Sequence, residues 1–228
     1  MLPAAEWERL APHLVPVDMP LGQVVCEAGD VVNHVFFPST AVISLLYVMA
    51  DGASAEIAIV GNEGLIGIAV FLGGEQTPNR AVVQSAGRAY RLGARVLKDE
   101  FQGGGPLLRL LLRYTQALIA QMVQTAACNR HHSTDQQLCR CLLLSLDRLP
   151  SGQVWMTQQL IVTMLGPRRP GVTEAALKPQ EAGLIHYSYG NIEVLDRARL
   201  EKRVCECYGS VKREFDRLLP DLAATSSA

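Results

Sequence analysis

The fold of this chain is decided by the stretch MTQQLIVTMLGPRRPGVTEAA, residues 156–176. The stretch predicts two short helices separated by a glycine turn. Thr157 can cap the first helix, and Gly166 suits the left-handed residue that ends it. Pro170 fits the first turn of the second helix, where no amide partner is lost. We therefore expect a helix-turn-helix over these residues.

A β-hairpin is predicted directly after this motif. Residues 183–189 and 192–195 are rich in β-forming side chains, and Gly190-Asn191 between them is typical of a two-residue hairpin loop. A helix-turn-helix followed by such a hairpin is a winged helix, whose second helix enters the major groove of DNA. The sequence thus predicts a DNA-binding half and double-stranded DNA as the partner.

The residue types along the two helices indicate which side chains would bind DNA. Arg169 can bind guanine through two hydrogen bonds, and Glu174 can accept a hydrogen bond from a cytosine amine. Side chains at helix starts and flanks bind phosphates and fix the register of the protein on the duplex. The predicted DNA-binding residues are Thr157, Gln158, Arg168, Arg169, Thr173, Glu174 and Lys178.

One residue conflicts with a long second helix. Pro179 removes a backbone hydrogen bond and clashes with the preceding turn, at a cost of about 3 kcal/mol or more inside a helix. This predicts a helix that kinks or stops near Lys178 and a weakened DNA interaction. The alternative function is therefore a dimeric ligand-binding or scaffolding protein with a degenerate helix-turn-helix.

Composition and charge are consistent with two soluble domains. The 228 residues carry a net charge of -1 and are 49% hydrophobic. Residues 1–105 hold 6 Lys/Arg against 11 Asp/Glu, whereas residues 106–228 hold 15 against 11, so the second half is better suited to approach phosphates. No membrane span or secretion signal is recognisable, which predicts a cytoplasmic protein with reduced cysteines.

The pattern before the winged helix predicts an α+β protein in three parts. Residues 1–105 form an antiparallel β-roll or jelly-roll sensor domain, because short apolar runs alternate with glycine, aspartate and asparagine turns. A dimerisation helix is expected over 106–132, and the winged helix with a C-terminal helix over 133–228. Local predictions are a leading helix in the first twenty residues, a hinge at 129–135, a helix at 138–149 and a charged helix at 196–219.

The long helix carries apolar residues at alternating steps of four and three, which is the spacing of a two-stranded coiled coil. These residues are Leu108, Leu112, Thr115, Ile119, Met122 and Ala126. We expect a homodimer through residues 107–127. Its two-fold symmetry would present two DNA-binding domains to two half-sites. The alternative is a single amphipathic helix packed on its own β domain.

In its order of elements the chain resembles the Crp/Fnr family of bacterial transcription regulators. The match is most specific from Leu165-Gly166 to Leu184-Ile185, and a second match comprises Gly61–Gly67 with Arg80-Ala81. The resemblance implies a homodimer that senses a signal in its β-roll and binds a near-palindromic operator. It makes RNA polymerase a candidate partner, and Glu63, Gly67 and Arg80 candidate effector-binding residues.

Two departures from the family pattern bear on the effector, whose identity the sequence leaves unknown. Members that bind cyclic nucleotides have a glutamate after the glycine and a serine or threonine after the arginine, but here Ile68 follows Gly67 and Ala81 follows Arg80. Cyclic AMP is therefore not the expected ligand, although Gly67 and Arg80 keep a cyclic-nucleotide sensor as a third reading. No iron–sulfur cluster is expected, since only Cys26 precedes residue 128, and no haem is expected either.

Cysteine and histidine residues gather near the predicted hinge: Cys128, His131, His132, Cys139 and Cys141. They allow a metal or redox switch, but buried cysteines more often pack as small hydrophobic residues, so no metal is expected. Cys205 and Cys207 are expected to pack in the same way. No nucleophile, base and orienting acid stand out, and we predict that the protein is not an enzyme.

Overall fold

The computed structural model describes residues 2–149, 153–155, 161, 178–188 and 191–220. The chain begins with helix α1, Ala4–Leu10, and a 3₁₀ turn, Ala11–His13. The strands that follow are β1 Val15–Met19, β2 Val24–Cys26, β3 His34–Pro38, β4 Val42–Val48, β5 Ser54–Val60, β6 Arg80–Ser85 and β7 Gly87–Gly93. The helices after them are α2 Ala94–Gln102, α3 Pro106–His131 and α4 Thr134–Leu146.

The seven strands form two antiparallel sheets, as the alternation of short apolar runs and turns predicts. One sheet has the order β1-β7-β3 and the other the order β2-β6-β4-β5. The segment Val42–Leu46 of β4 is buried throughout, because one side faces the roll interior and the other packs toward α4. The antiparallel β domain and the mixed α+β class are confirmed.

Two local predictions near the ends of this domain need correction. The leading helix ends at Leu10, and Val15 already begins β1, because Pro12 and Pro16 cannot donate the amide hydrogen bonds of a continuing helix. Helix α2 occupies residues predicted to close the β-rich region, and it shields the roll with Leu97, which is fully buried.

Helix α3 has two different apolar faces. The residues buried along its length follow steps of four and three: Leu107, Leu111, Tyr114, Leu118, Gln121, Thr125 and Cys128. The opposite face exposes Leu112 by 47%, Ile119 by 49% and Val123 by 65%. Thr115, predicted on the seam, is instead buried and donates its hydroxyl to the Leu111 carbonyl. The helix therefore packs on its own β domain and still leaves an apolar stripe uncovered.

The predicted hinge at 129–135 is mostly helical. Only His132 and Ser133 separate α3 from α4. Ser133 begins α4 through a capping box, in which its side chain and that of Gln136 bind each other's backbone amides. This reciprocal cap explains why α4 starts at Thr134, four residues before the predicted start.

The C-terminal part contains strands β8 Gln153–Trp155, β9 Ile185–Ser188 and β10 Asn191–Val194, then helices α5 Arg197–Arg203 and α6 Glu206–Leu218. The strands form an antiparallel sheet of order β8-β10-β9. Asn191 pairs with Ser188 and so belongs to β10 instead of the hairpin loop. The predicted single helix 196–219 is two helices, because Val204 and Cys205 are extended.

Helix α6 runs back to α3 and packs along it. Its last residue, Leu218, and the following Leu219 join the core of the β-roll. Within the described residues, no helix combines the length and the apolar character needed to cross a membrane.

Candidate functional site

Most of the predicted DNA-binding residues lie outside the described residues: Thr157, Gln158, Arg168, Arg169, Thr173 and Glu174. Lys178 is described and is exposed, and its charge acts on the Asp135 carboxylate of α4. Residues 178–181 are helical and include the buried Pro179, so the helix continues only three residues past Lys178, close to the predicted stop. The helix ends after this turn, where Gly183 has a φ of 67° and the Leu184 amide donates to the Pro179 carbonyl.

The wing and its supporting core lie next to this helix end. Val154, Ile161, Ile185 and Ile192 are all buried to within 1% and share one core with α4. Arg197 joins α5 to this assembly by pairing with Asp147, and Tyr208 also donates to Asp147 at 3.0 Å. The sheet β8-β10-β9 therefore packs in one core with α4, α5 and α6, and these helices are joined to one another through Asp147.

The three predicted effector residues have separate partners. Gly67 has a φ of 104°, and a Cβ there would lie 3.1 Å from Val32 and 3.0 Å from Val35. Arg80 forms an ion pair with Glu27 at 3.3 Å, and both side chains are partly exposed. Glu63 binds Arg148, which lies in the turn just after α4. Their role toward an effector stays a prediction.

The Glu63–Arg148 pair ties the loop after β5 to the helices. Arg148 Nε lies 2.6 Å from Glu63 Oε1, and the two side chains are only 6% and 11% exposed. The same guanidinium donates to the Leu144 carbonyl at 2.7 Å and stacks over the Phe215 ring at 5.3 Å. One arginine thus contacts the sensor loop, α4 and α6.

The glycines of this loop are required by close packing. A Cβ on Gly61 would lie 2.7 Å from the Arg148 side chain, and a Cβ on Gly64 would lie 2.3 Å from the Tyr114 ring of α3. Tyr114 donates its hydroxyl to the Leu65 carbonyl at 3.0 Å. The Gly61–Gly64 segment, which the family resemblance associates with the effector loop, is therefore packed directly against Tyr114 of α3 and against Arg148 in the turn after α4.

A buried polar network joins the β-roll to α4. Ser44 Oγ lies 2.8 Å from Glu56 Oε2 and 3.1 Å from Gln84 Oε1. If Glu56 is ionised, both oxygens are acceptors, but the Ser44 hydroxyl has a single proton and can donate to only one of them. Gln84 in turn donates to Ser145, and Cys141 donates to Glu56 Oε1. A proton on Glu56 Oε2 completes the network, because Glu56 then donates to Ser44 and Ser44 donates to Gln84.

Burial raises the pKa of Glu56 from 4.5 to about 7, against the opposing effects of Ser44, Cys141 and the charges of Arg140 and Arg148. The folded protein therefore keeps this proton at pH values where the unfolded chain has lost it. Since the folded state binds more protons in this window, the free energy of unfolding falls as pH rises from 4.5 to about 7.

We expect Glu56→Gln to remove this pH dependence, because glutamine is neutral and can donate to Ser44 as the protonated carboxyl does. At pH 8 the variant should be more stable than the native protein by up to about 3 kcal/mol. Urea unfolding between pH 4.5 and 8 measures the effect, with the exposed Glu8→Gln as control. An unchanged pH profile in Glu56→Gln would show that the carboxyl is ionised when buried.

The cysteines do not gather as the sequence suggests. Cys141 donates to Glu56, whereas Cys139 lies near Arg203 and Asp135, and His131 is exposed. The structure instead brings Cys128 and His132 from the end of α3 together with Cys205 and Cys207 from the start of α6. These residues come from two segments more than 70 residues apart, so no local spacing predicts that they lie together. The Cys-x-Cys element at 205–207 is the one sequence feature that points to the cluster.

Two family models match the sequence over separate ranges. Residues 16–103 match the cyclic nucleotide-binding domain, and residues 136–203 match the Crp-like helix-turn-helix domain. No curated protein matches the chain at a significant level.

Solved structures show the same architecture along nearly their full lengths. FixK2 from Bradyrhizobium japonicum has a TM-score of 0.69 at 14% identity, covering 84% of this chain and 98% of its own. The c-di-GMP responsive regulator CLP from Xanthomonas campestris has a TM-score of 0.66 at 16% identity, covering 84% and 99%. A CRP-family transcriptional regulator from Thermus thermophilus has a TM-score of 0.68 at 16% identity, covering 82% and 95%. At these identities the likeness shows a shared fold.

Proposed function

The chain belongs to the Crp/Fnr family of transcription regulators, and from that premise we propose that it acts as a homodimer on a near-palindromic operator. A protein of this family is a DNA-binding regulator and not an enzyme. The observation that carries the proposal is the wing sheet β8-β10-β9, which shares its buried core with α4 and Ile161 inside the matched helix-turn-helix range. Such a rigid support is what a helix needs to be presented to a DNA groove.

The apolar stripe on α3 supports the homodimer. Leu112, Ile119 and Val123 lie on one face of the helix and are all about half exposed or more. The other face of α3 is already covered by the β-roll and α6, so this stripe is available to a second copy. A second copy of the same helix matches it, because a two-fold dimer places identical apolar patches against each other.

Residues Arg168, Arg169, Thr173 and Glu174 would face the major groove in this arrangement, and Thr157, Gln158 and Lys178 would approach phosphates. Selection of bound DNA from random fragments tests the proposal. We expect an enriched sequence with two inverted half-sites whose centres lie about 10 bp or a multiple of it apart. Enrichment of no sequence, or of a single asymmetric site, would contradict it.

The β-roll would pass its signal to the DNA-binding half through the loop after β5. Gly61 and Glu63 contact Arg148 just after the end of α4, and Gly64 contacts Tyr114 of α3. A ligand or partner that moves this loop therefore moves the two helices on either side of the hinge. The angle between the two DNA-binding domains of the dimer would change as a result.

We expect that the signal is not a cyclic nucleotide. No carboxylate follows Gly67 to accept a ribose hydroxyl, and Glu27 competes with a phosphate for Arg80. An unmet buried polar group costs about 1–3 kcal/mol, which weakens such a ligand further. Calorimetry with cyclic AMP and cyclic GMP should give no saturable heat, whereas saturation with a micromolar Kd would contradict this prediction.

A further inference from the structure

Three thiols and one imidazole meet where the end of α3 contacts the start of α6. The ligand atoms of Cys128, His132, Cys205 and Cys207 all lie within 4.8 Å of one another. The three cysteines are at most 5% exposed, and they form a small core of their own. We propose that these four side chains bind one zinc ion, independently of the DNA-binding function proposed above.

The separations match those around a single tetrahedral ion. With zinc–sulfur bonds of about 2.3 Å and zinc–nitrogen bonds of about 2.0–2.1 Å, sulfur atoms lie about 3.8 Å apart and sulfur and nitrogen about 3.6 Å apart. Cys128 Sγ and Cys205 Sγ are 3.6 Å apart, and Cys207 Sγ and His132 Nδ1 are 3.5 Å apart. In an iron–sulfur cluster at least some of the protein ligands bind different iron atoms and lie farther apart, so four ligand atoms that all lie within 4.8 Å of one another fit one ion better.

The surrounding side chains orient the ligands as they do in known zinc sites. His132 presents Nδ1 to the cysteines, while its Nε2 lies 3.3 Å from Glu206 Oε2, which fixes the ring and favours a free electron pair on Nδ1. Gln124 Nε2 donates to Cys207 Sγ at 3.0 Å. Such hydrogen bonds to a thiolate stabilise its negative charge when it binds a metal.

A buried positive charge balances the site. Three thiolates, a neutral imidazole and Zn²⁺ together carry one negative charge. Arg140 of α4 is only 4% exposed, acts electrostatically on Cys128 and donates to Thr125 one turn earlier on α3. Its Nε has no hydrogen-bond partner within the described part of the chain. A buried guanidinium beside these thiols is readily explained if the site carries a negative charge.

All four ligand positions come from the protein, which is the arrangement of a structural zinc site. The ion would join the last turn of α3 to the first turn of α6, directly beside the hinge at His132 and Ser133. Cys205 lies at the break between α5 and α6. The break therefore places Cys205 and Cys207 where a continuous helix would not.

Elemental analysis of the full chain, purified with reductant and without chelator, tests the proposal. We expect about one zinc ion per chain, and less than a tenth of that in Cys205→Ser and Cys207→Ser. Cys139→Ser is the matched control, because it removes another buried cysteine outside the cluster and should keep the zinc. Loss of zinc in Cys139→Ser to the same extent would overturn the assignment of ligands.

A measurement on the native sequence avoids variants that fail to fold. The metal-free protein, reduced and kept anaerobic, is titrated with Co²⁺, which should give tetrahedral ligand-field bands and thiolate charge-transfer bands that saturate at one equivalent and disappear on adding Zn²⁺. Absence of these bands would overturn the proposal. So would iron with acid-labile sulfide in the purified protein, or a Cys128–Cys205 disulfide in place of the metal.

Discussion

Replacement of Ile119 and Val123 by glutamate together should convert the protein into a folded monomer that binds its operator at least about 100-fold more weakly. The two side chains are 49% and 65% exposed, so the charges cost little in an isolated subunit. In a two-fold dimer they would face their own copies across the seam, where like charges repel and are desolvated. The affinity falls because the second half-site contact is no longer intramolecular.

Sedimentation measures the oligomeric state of this variant, and a gel shift measures its affinity. Val15→Glu is the matched control, because it places the same charge on a valine that is 45% exposed on β1, away from α3. We expect the control to remain dimeric. A dimer with unchanged mass in Ile119→Glu/Val123→Glu would show that the subunits associate through another surface.

Removal of the Arg148 side chain should destabilise the protein by about 3–5 kcal/mol, because Arg148→Ala leaves the Glu63 carboxylate buried without its cation. Glu63 Oε2 already has no hydrogen-bond partner within the described residues. The variant also loses the contact with Phe215 and the hydrogen bond to Leu144. Denaturant unfolding measures the change.

Arg9→Ala is the control for this prediction, since Arg9 is also hydrogen-bonded to a glutamate, Glu100, at 2.9 Å, but its side chain is 54% exposed. An exposed pair contributes only about 0–1 kcal/mol. The double variant Glu63→Gln/Arg148→Met should recover much of the loss, because no unpaired charge stays buried. The account of this pair is wrong if Arg148→Ala costs no more than Arg9→Ala.

The β domain and the wing could be predicted because their signals are local. Short apolar runs between turn residues marked six of the seven strands of the roll to within two residues at either end, and β-prone runs marked the wing on both sides of its turn. Strand β1 was missed because Leu10 and Leu14 continue a helical spacing from Trp7. A spacing of apolar residues takes no account of Pro12 and Pro16, or of the pairing of β1 with β7 in the folded protein.

The faces of α3 show what periodicity alone cannot decide. The buried residues follow steps of four and three, and the exposed Leu112, Ile119 and Val123 lie seven and four residues apart, so one spacing fits packing on the β domain and a seam between two copies equally well. Only the tertiary structure shows that Thr115 lies on the buried face and that Val123 lies on the exposed one. The sequence therefore predicted a long amphipathic helix but not which of its residues pack on the β domain.

The site residues were harder to predict because their partners are distant along the chain. Glu63 was predicted to bind an effector because of the loop in which it lies, whereas in the structure it forms an ion pair with Arg148. No sequence pattern near either residue indicates that pair. Cys128 and Cys205 are likewise brought together by the return of α6 along α3. Long-range contacts of this kind depend on the packing of helices, which residue spacing does not encode.

The salt dependence of operator affinity tests the central claim most directly. A dimer that binds two half-sites through lysine and arginine contacts to phosphates releases counterions, so the logarithm of the association constant should fall linearly with the logarithm of salt concentration, by about 0.9 for each phosphate contacted. We expect a steep negative slope with the selected operator, bound by two chains per duplex. A protein that is monomeric and does not bind duplex DNA even at low salt would contradict the proposal of a dimeric DNA-binding regulator.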